Sequence, residues 1–305
     1  MNKHFISLGV IALGALTLTS CLGDNSNNEQ TFTYNYGGND CFNRVTDLET
    51  GDTYKGLSPT YTLSYRMVAG KVDVTISNLK LSADQSGIAL KLPEMKFSQN
   101  KDTYFIESKD TDITPESQGT TTPPYLFDAF ATSIFPGCNV YNINYLLTNT
   151  YSNKKYKVDV YGTKYKYFGD IVFSSENGET SFKSEKNEDR YLGVIINPET
   201  MKASLLANNL EVAIGKRVSF GIKDLPVTLT SNGFSISSPA DQDMPLLNPN
   251  LTTEQKGRTI KNISVNATLA TGATITFECN LDTDGSYRAF APGMRYLIYK
   301  TTDKN

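Results

Sequence analysis

Apolar and polar residues alternate along most of this chain in short runs, broken every 8–12 residues by Gly, Asn, Asp or Pro. Alternation of period two places every second side chain on one face of a strand, so the pattern predicts β-structure throughout, with few helix signals. In Lys71–Ser77, Val72, Val74 and Ile76 share one face, whereas Leu79 and Leu81 fall on the opposite parity. A change of parity within one run requires an extra residue, which predicts a β-bulge at Ser77-Asn78. Tyr141, Ile143, Tyr145 and Leu147 alternate in the same way, as do Ile263, Val265 and Ala267. Asn177-Gly178, Asn232-Gly233 and Asp284-Gly285 are the residue pairs that tight hairpin turns favour, because they tolerate left-handed backbone.

The pattern also recurs at long range. Lys71–Leu81 (KVDVTISNLKL) is matched by Met201–Val212 (MKASLLANNLEV), each with Asn-Leu before its last alternating pair. Ile88–Pro93 then corresponds to Phe220–Pro226, Tyr104–Ser108 to Phe234–Ser238, and the turn Thr50-Gly51 to Asn177-Gly178. Asn142-Ile143 and Lys155–Val160 pair with Asn262-Ile263 and Thr274–Cys279, where the offset falls from 127–133 to 119–120. That drop predicts a longer loop in the first copy, from Lys109 to Gly137. These ordered matches divide the chain into two units, 31–163 and 164–300, each long enough for seven or eight short strands. The expected fold is all-β: two tandem repeats of a small antiparallel β-barrel or β-sandwich.

Ahead of the repeats, one Lys precedes an apolar run from Phe5 to Leu18, too short to span a membrane but fitting a signal peptide. The run ends in Leu18-Thr19-Ser20-Cys21, which resembles the bacterial lipobox. The resemblance implies that residues 1–20 are removed and that Cys21 is lipidated, with several acyl chains anchoring the mature chain stably to a membrane. Residues 21–30 then form the lipidated Cys and a polar, Asn-rich flexible tether. Export places the body in the bacterial cell envelope, the outer membrane being favoured over the inner, on a periplasmic or an external face.

The run VDVTISNLKL…GIALKLPEMKF, twice over behind this signal, resembles the calycin-like (lipocalin-like β-barrel) envelope lipoproteins of Bacteroidetes. The resemblance implies small β-barrels and an envelope location. The chain has no Trp, so the Gly-x-Trp signature of true lipocalins is absent and a lipocalin-type ligand pocket is not implied.

Composition then narrows the chemistry. The single histidine, His4, lies in the signal, so the mature chain has none. Without imidazole there is no Ser-His-Asp or Cys-His nucleophile and no His-containing zinc site. The mature charge of −4, from 28 basic and 32 acidic residues, is too mild for a nucleic-acid partner. Of the remaining cysteines, Cys41 and Cys138 lie in predicted loops and are a candidate disulfide, while Cys279 falls on a core-facing strand position. Ser98–Lys101 and Ser152–Lys155 have S-x-x-K spacing, but they sit in polar turns without the partner motifs of a serine–lysine enzyme. Asn280–Gly285 resembles the start of a calcium loop, yet Ala291 stands where the bidentate Glu is needed, so a plain turn is expected and no metal. Lys155, Lys157, Lys164 and Lys166 interleave with Tyr and are candidate binding residues for an anionic glycan or lipid phosphate, against the simpler reading of solvated lysines on amphipathic strands. The sequence thus points to a lipid-anchored envelope protein without catalytic residues or cofactor, binding a glycan, a lipid or a protein. A structural or adhesive surface component, or a hydrolase using paired carboxylates, are the competing readings.

Overall fold

The structure is a computed structural model, and it describes residues 31–66, 70–100, 103–108, 116–117, 125–135, 140–185, 189–269 and 272–298. The signal, the lipidation position Cys21 and the tether lie outside these residues, as does Cys138. Strand is the dominant structure, joined by turns and two single 3-10 turns, and the described residues contain no α-helix.

The first sheet holds β1 (Thr31–Gly37), β2 (Cys41–Asp47), β3 (Thr53–Leu57), β4 (Thr60–Arg66), β5 (Lys71–Leu79), β6 (Ile88–Asn100), β7 (Thr103–Ser108), β8 (Glu116–Ser117), β9 (Tyr125–Phe135), β10 (Val140–Asn149) and β11 (Lys155–Gly162). The second holds β12 (Lys164–Phe168), β13 (Asp170–Ser175), β14 (Gly178–Lys183), β15 (Tyr191–Asn197), β16 (Lys202–Ala213), β17 (Lys216–Thr230), β18 (Gly233–Ser237), β19 (Met244–Leu247), β20 (Glu254–Thr268), β21 (Gly272–Asn280) and β22 (Ser286–Ile298). All pairings described are antiparallel. The first sheet runs β1-β4-β5-β6-β7-β9-β10-β11-β2-β3, and the second runs β12-β15-β16-β17-β18-β20-β21-β22-β13-β14, the same path displaced by eleven strands.

The strand equivalence corrects two expectations. Residues 109–137 are not one long loop in the first half, because β8 and the eleven-residue β9 fall within them. Lys155–Val160 lies in β11, which takes the sheet position of β22, whereas Thr274–Cys279 lies in β21. The late sequence matches had therefore slipped by one strand. Apolar residues occur on both parities of Tyr125–Phe135, so this strand carries no clean alternation to anchor the register.

The two sheets differ at one seam. Strand β22 is shared on one edge: Arg288–Phe290 pair with β13, and Arg295–Ile298 pair with β12. The second pairing closes β12, β15–β18 and β20–β22 into a barrel of eight strands, and leaves the β13–β14 hairpin branching from its wall. In the first sheet β11 ends at Gly162, since the chain turns into β12 two residues later, and among the described residues β1 pairs only with β4.

The bulge expected near Ser77-Asn78 is present as a register shift between Ile76 and Leu79, with Asn78 at φ 56°. Its Nδ2 donates to the Ser58 carbonyl at 3.0 Å, which supplies a partner that the interrupted ladder withholds. A matching shift between Ala207 and Leu210 carries Asn209 at φ 51°. Among the described residues the interior is filled by large rings: Tyr36, Tyr61, Tyr165, Tyr167 and Phe173 are each no more than 1% exposed. One contiguous apolar core runs through both sheets.

The junction is held by backbone. Thr163, 4% exposed, donates its N–H to the Asp40 carbonyl (2.9 Å) and its Oγ1 to the Asn39 carbonyl (2.7 Å), and its own carbonyl accepts from Ile196 N–H (2.7 Å). Across the junction Tyr161 Oη donates to the Thr230 carbonyl at 2.8 Å and Lys157 Nζ to the Ser231 carbonyl at 3.1 Å.

Candidate functional site

The four candidate lysines are not brought together. Lys155 and Lys157 lie on β11 of the first sheet, and Lys164 and Lys166 on β12 of the second. Lys155 is exposed. Lys157 is occupied: besides its bond across the junction it sits 3.1 Å from Asp159, a carboxylate only 6% exposed. Burial pushes the Asp159 carboxyl above its ordinary range, and the Lys157 ammonium pulls it part of the way back. Lys166 lies 4.4 Å from the centre of the Tyr191 ring, and burial lowers its pKa against the opposing pull of Asp189. Lys164 faces a cleft of about 740 Å³ between the sheets, with Lys202, Lys223, Glu199 and Asp224 on its second-sheet wall. A single basic face is thus absent from this pair of strands. Their tyrosines explain the interleaving: Tyr165 and Tyr167 fill the second barrel, with the intervening lysines outside.

The two described cysteines, Cys41 and Cys279, are buried. Cys41 is a free thiol, 1% exposed, with Sγ 3.6 Å from the Pro59 carbonyl, and its expected partner Cys138 lies outside the described residues. Cys279 is free and buried on the core face of β21. Burial raises both thiol pKa values, that of Cys279 to about 12. A thiol with a raised pKa stays protonated through the range where a free cysteine ionises. Alkylation of Cys41 and Cys279 by iodoacetamide, located by peptide mass spectrometry, is therefore expected to stay negligible from pH 7 to 9 in the native protein. It should become complete in urea, and ready native labelling would show that these strands open easily.

The calcium-like loop is a turn. Asp282 N–H bonds Asn280 Oδ1 (3.0 Å), and the Asp284 carboxylate is taken by Arg258 (2.5 Å) and Lys216 (3.2 Å). Ser152 of the second S-x-x-K match lies in the β10–β11 turn, accepting from Lys154 N–H at 3.4 Å, and Lys101 of the first lies outside the described residues.

What the sequence did not reveal is a groove of about 710 Å³ on the outer face of the second sheet. It forms where the β13–β14 hairpin leaves the barrel wall. Across its floor runs one cross-strand row: Lys261 (β20) opposite Glu278 (β21), Glu278 opposite Arg288 (β22), Arg288 opposite Ser174 (β13), and Ser174 opposite Glu179 (β14). Arg288 Nη2 lies 3.1 Å from Glu278 Oε1, and Ser174 Oγ donates to Glu179 Oε1 at 3.1 Å. The next row toward the β21–β22 turn is Thr259, Asn280 and Ser286. Two residues along β22 on the other side stands Phe290, 47% exposed, opposite Thr276 and Val172. The strands place these groups by alternation alone: Tyr287, Ala289 and Ala291 turn inward, so Ser286, Arg288 and Phe290 must turn outward. Chemically the groove offers carboxylate acceptors, guanidinium and amide donors and hydroxyls, and the Phe290 ring stands beside it on the same outward face.

No protein-family model matches the chain, and no curated protein matches it. Among solved structures it is similar to a candidate outer membrane protein of Bacteroides fragilis NCTC 9343, at 14% identity over 88% of this chain and 97% of the other, with a TM-score of 0.31. It is also similar to a variant of transferrin-binding protein B of Haemophilus parasuis Hp5, at 9% identity over 89% of this chain and 77% of the other, with a TM-score of 0.24. Both are remote likenesses, and the functional reading rests on the chain's own surfaces.

Proposed function

We propose that this is a lipid-anchored, non-enzymatic binding protein of the bacterial cell envelope, built from two tandem β units, 31–163 and 164–300, that take a glycan, lipid or protein partner on their outer surface. The filled interior carries the reading. Among the described residues, buried Tyr and Phe rings occupy the inside of both sheets, which favours a ligand met on the outside, in the groove or the cleft, over one held in a lipocalin-type cavity. The identical strand order of the two sheets supports the division into two units. The lipobox-like Leu18–Cys21 supports the anchor. The outer membrane is favoured for that anchor, and the absence of histidine from the mature chain supports binding over catalysis.

Expression of the full chain in a bacterial host tests this. The mature N-terminal peptide should begin at Cys21 and carry acyl groups by mass spectrometry, and Cys21→Ala should move the protein from the membrane to the soluble fraction. The purified protein should leave a panel of glycosides and esters unhydrolysed. Turnover abolished by substituting one carboxylate, or an unmodified Cys21, would overturn the proposal.

A further inference from the structure

We infer that the outer groove of the second sheet binds a neutral, hydroxyl-rich saccharide chain, with Phe290 as its stacking platform. This rests on the binding reading above and names the ligand class. A sugar ring presents hydroxyls, each both donor and acceptor, around an apolar C–H face. The groove mirrors that surface. Carboxylates of Glu278 and Glu179 accept from hydroxyls, Arg288 and Asn280 donate, and an exposed phenyl ring lies beside them on the same outward face.

Charge selects among ligand classes. Lys261 and Arg288 stand against Glu278, Glu179 and Asp243 in the groove wall, and Arg288 is already paired with Glu278 at 3.1 Å. The face therefore carries about one net negative charge and does not attract a polyanion or an anionic lipid headgroup. A lipid chain would need a continuous apolar lining, whereas Phe290 is the single large exposed apolar side chain among the described residues of these five strands. A stable protein interface needs a desolvated apolar centre, and here one ring stands among hydroxyls and charges. The pre-paired carboxylates also matter: Glu278 held by Arg288 and Glu179 held by Ser174 are already oriented, so less ordering is left to be done when a ligand binds.

The equivalent face of the first sheet is closed. The outward side of β11, strand for strand the counterpart of β22, lies under the β17–β18 turn through Lys157 and Tyr161. A second copy of the chain seated on β22 is thus the rival occupant.

The test uses the full chain purified in detergent and titrated by calorimetry with cello-, laminari-, malto-, xylo- and mannohexaose, and with heparin hexasaccharide. At least one neutral hexasaccharide should bind saturably and heparin should not. Phe290→Ala and Arg288→Ala should each weaken binding about tenfold or more, the loss expected of a contact that dominates an interface. Lys202→Ala, in the cleft between the sheets, should leave it unchanged. Both groove substitutions are on outward-facing positions, and unchanged thermal unfolding will show that the fold is intact. No binding by any neutral hexasaccharide, binding by heparin alone, or affinity indifferent to Phe290 and Arg288 would overturn the inference. So would concentration-dependent self-association that Phe290→Ala abolishes. If a saccharide binds at the groove but is cleaved, with Glu278→Gln or Glu179→Gln stopping the cleavage, the site stands and the non-enzymatic reading falls.

Discussion

Phe173→Ala is expected to lower the unfolding free energy by about 3–5 kcal/mol, measured by urea denaturation followed by circular dichroism. Phe173 is 1% exposed, and its ring meets those of Phe182, Phe277 and Tyr287 at centroid separations of 6.1, 6.2 and 6.3 Å. Removing it costs the transfer free energy of the ring and leaves a hole that three rigid rings on different strands cannot fill by small movements. The location compounds the effect. Phe173 belongs to β13, which pairs with β22 through Val172–Ser174, and together with the fully buried Ile171 it ties the branching hairpin to the barrel through apolar contact. The substitution should therefore loosen the wall that carries Ser174 and Glu179 and weaken any ligand held in the groove. A loss below about 1 kcal/mol would mean that the hairpin is fixed by its hydrogen bonds instead.

Gly233→Ala is the second severe change. Gly233 opens β18, pairing with Thr230 in its own hairpin and with Thr268 of β20. A Cβ there would collide with the Ala267 carbonyl oxygen and lie 2.8 Å from Thr268 Cα, both of them main-chain atoms. A side chain could rotate away, but two hydrogen-bonded strands cannot separate without breaking pairs. Overpacking of this sort costs about 1–3 kcal/mol or more, and here it should appear as a lower urea midpoint with an unchanged slope. Gly178→Ala provides the contrast, since its Cβ would meet nothing within 4 Å and only its φ of 113° opposes the change. If Gly233→Ala proves the milder of the two, strand spacing at this turn is softer than the geometry implies.

These positions also show how far the sequence could be read. Alternation identified β5, β10, β16 and β21 because each has a core face and a wetter face. The parity change at Ser77-Asn78 located a bulge for the same reason. It failed at β9, where both parities carry apolar residues and the strand read as loop, and that single omission shifted the match of the later strands. The Lys–Tyr interleaving of β11 and β12 suggested a shared basic face, but the chain passes from one sheet to the other between them, a change of direction that leaves no mark on period two. The groove was illegible for a different reason. Lys261, Glu278, Arg288, Ser174 and Glu179 become neighbours only through pairing across five strands, so no local spacing announces them. Only the unusual outward Phe290, between inward Ala289 and Ala291, was there to be noticed.

The unequal closure of the two sheets has a mechanical meaning. A ring has no beginning, so the second barrel can come apart only when two ladders fail together. Among the described residues the first sheet ends at β1, a strand paired only with β4, and can be peeled from that edge a ladder at a time. Under the anchoring through Cys21 proposed above, the end that peels would be the end nearest the membrane, and tension on the anchor would reach that half first. The groove, on the far side of Thr163, would keep its shape while the near half yields.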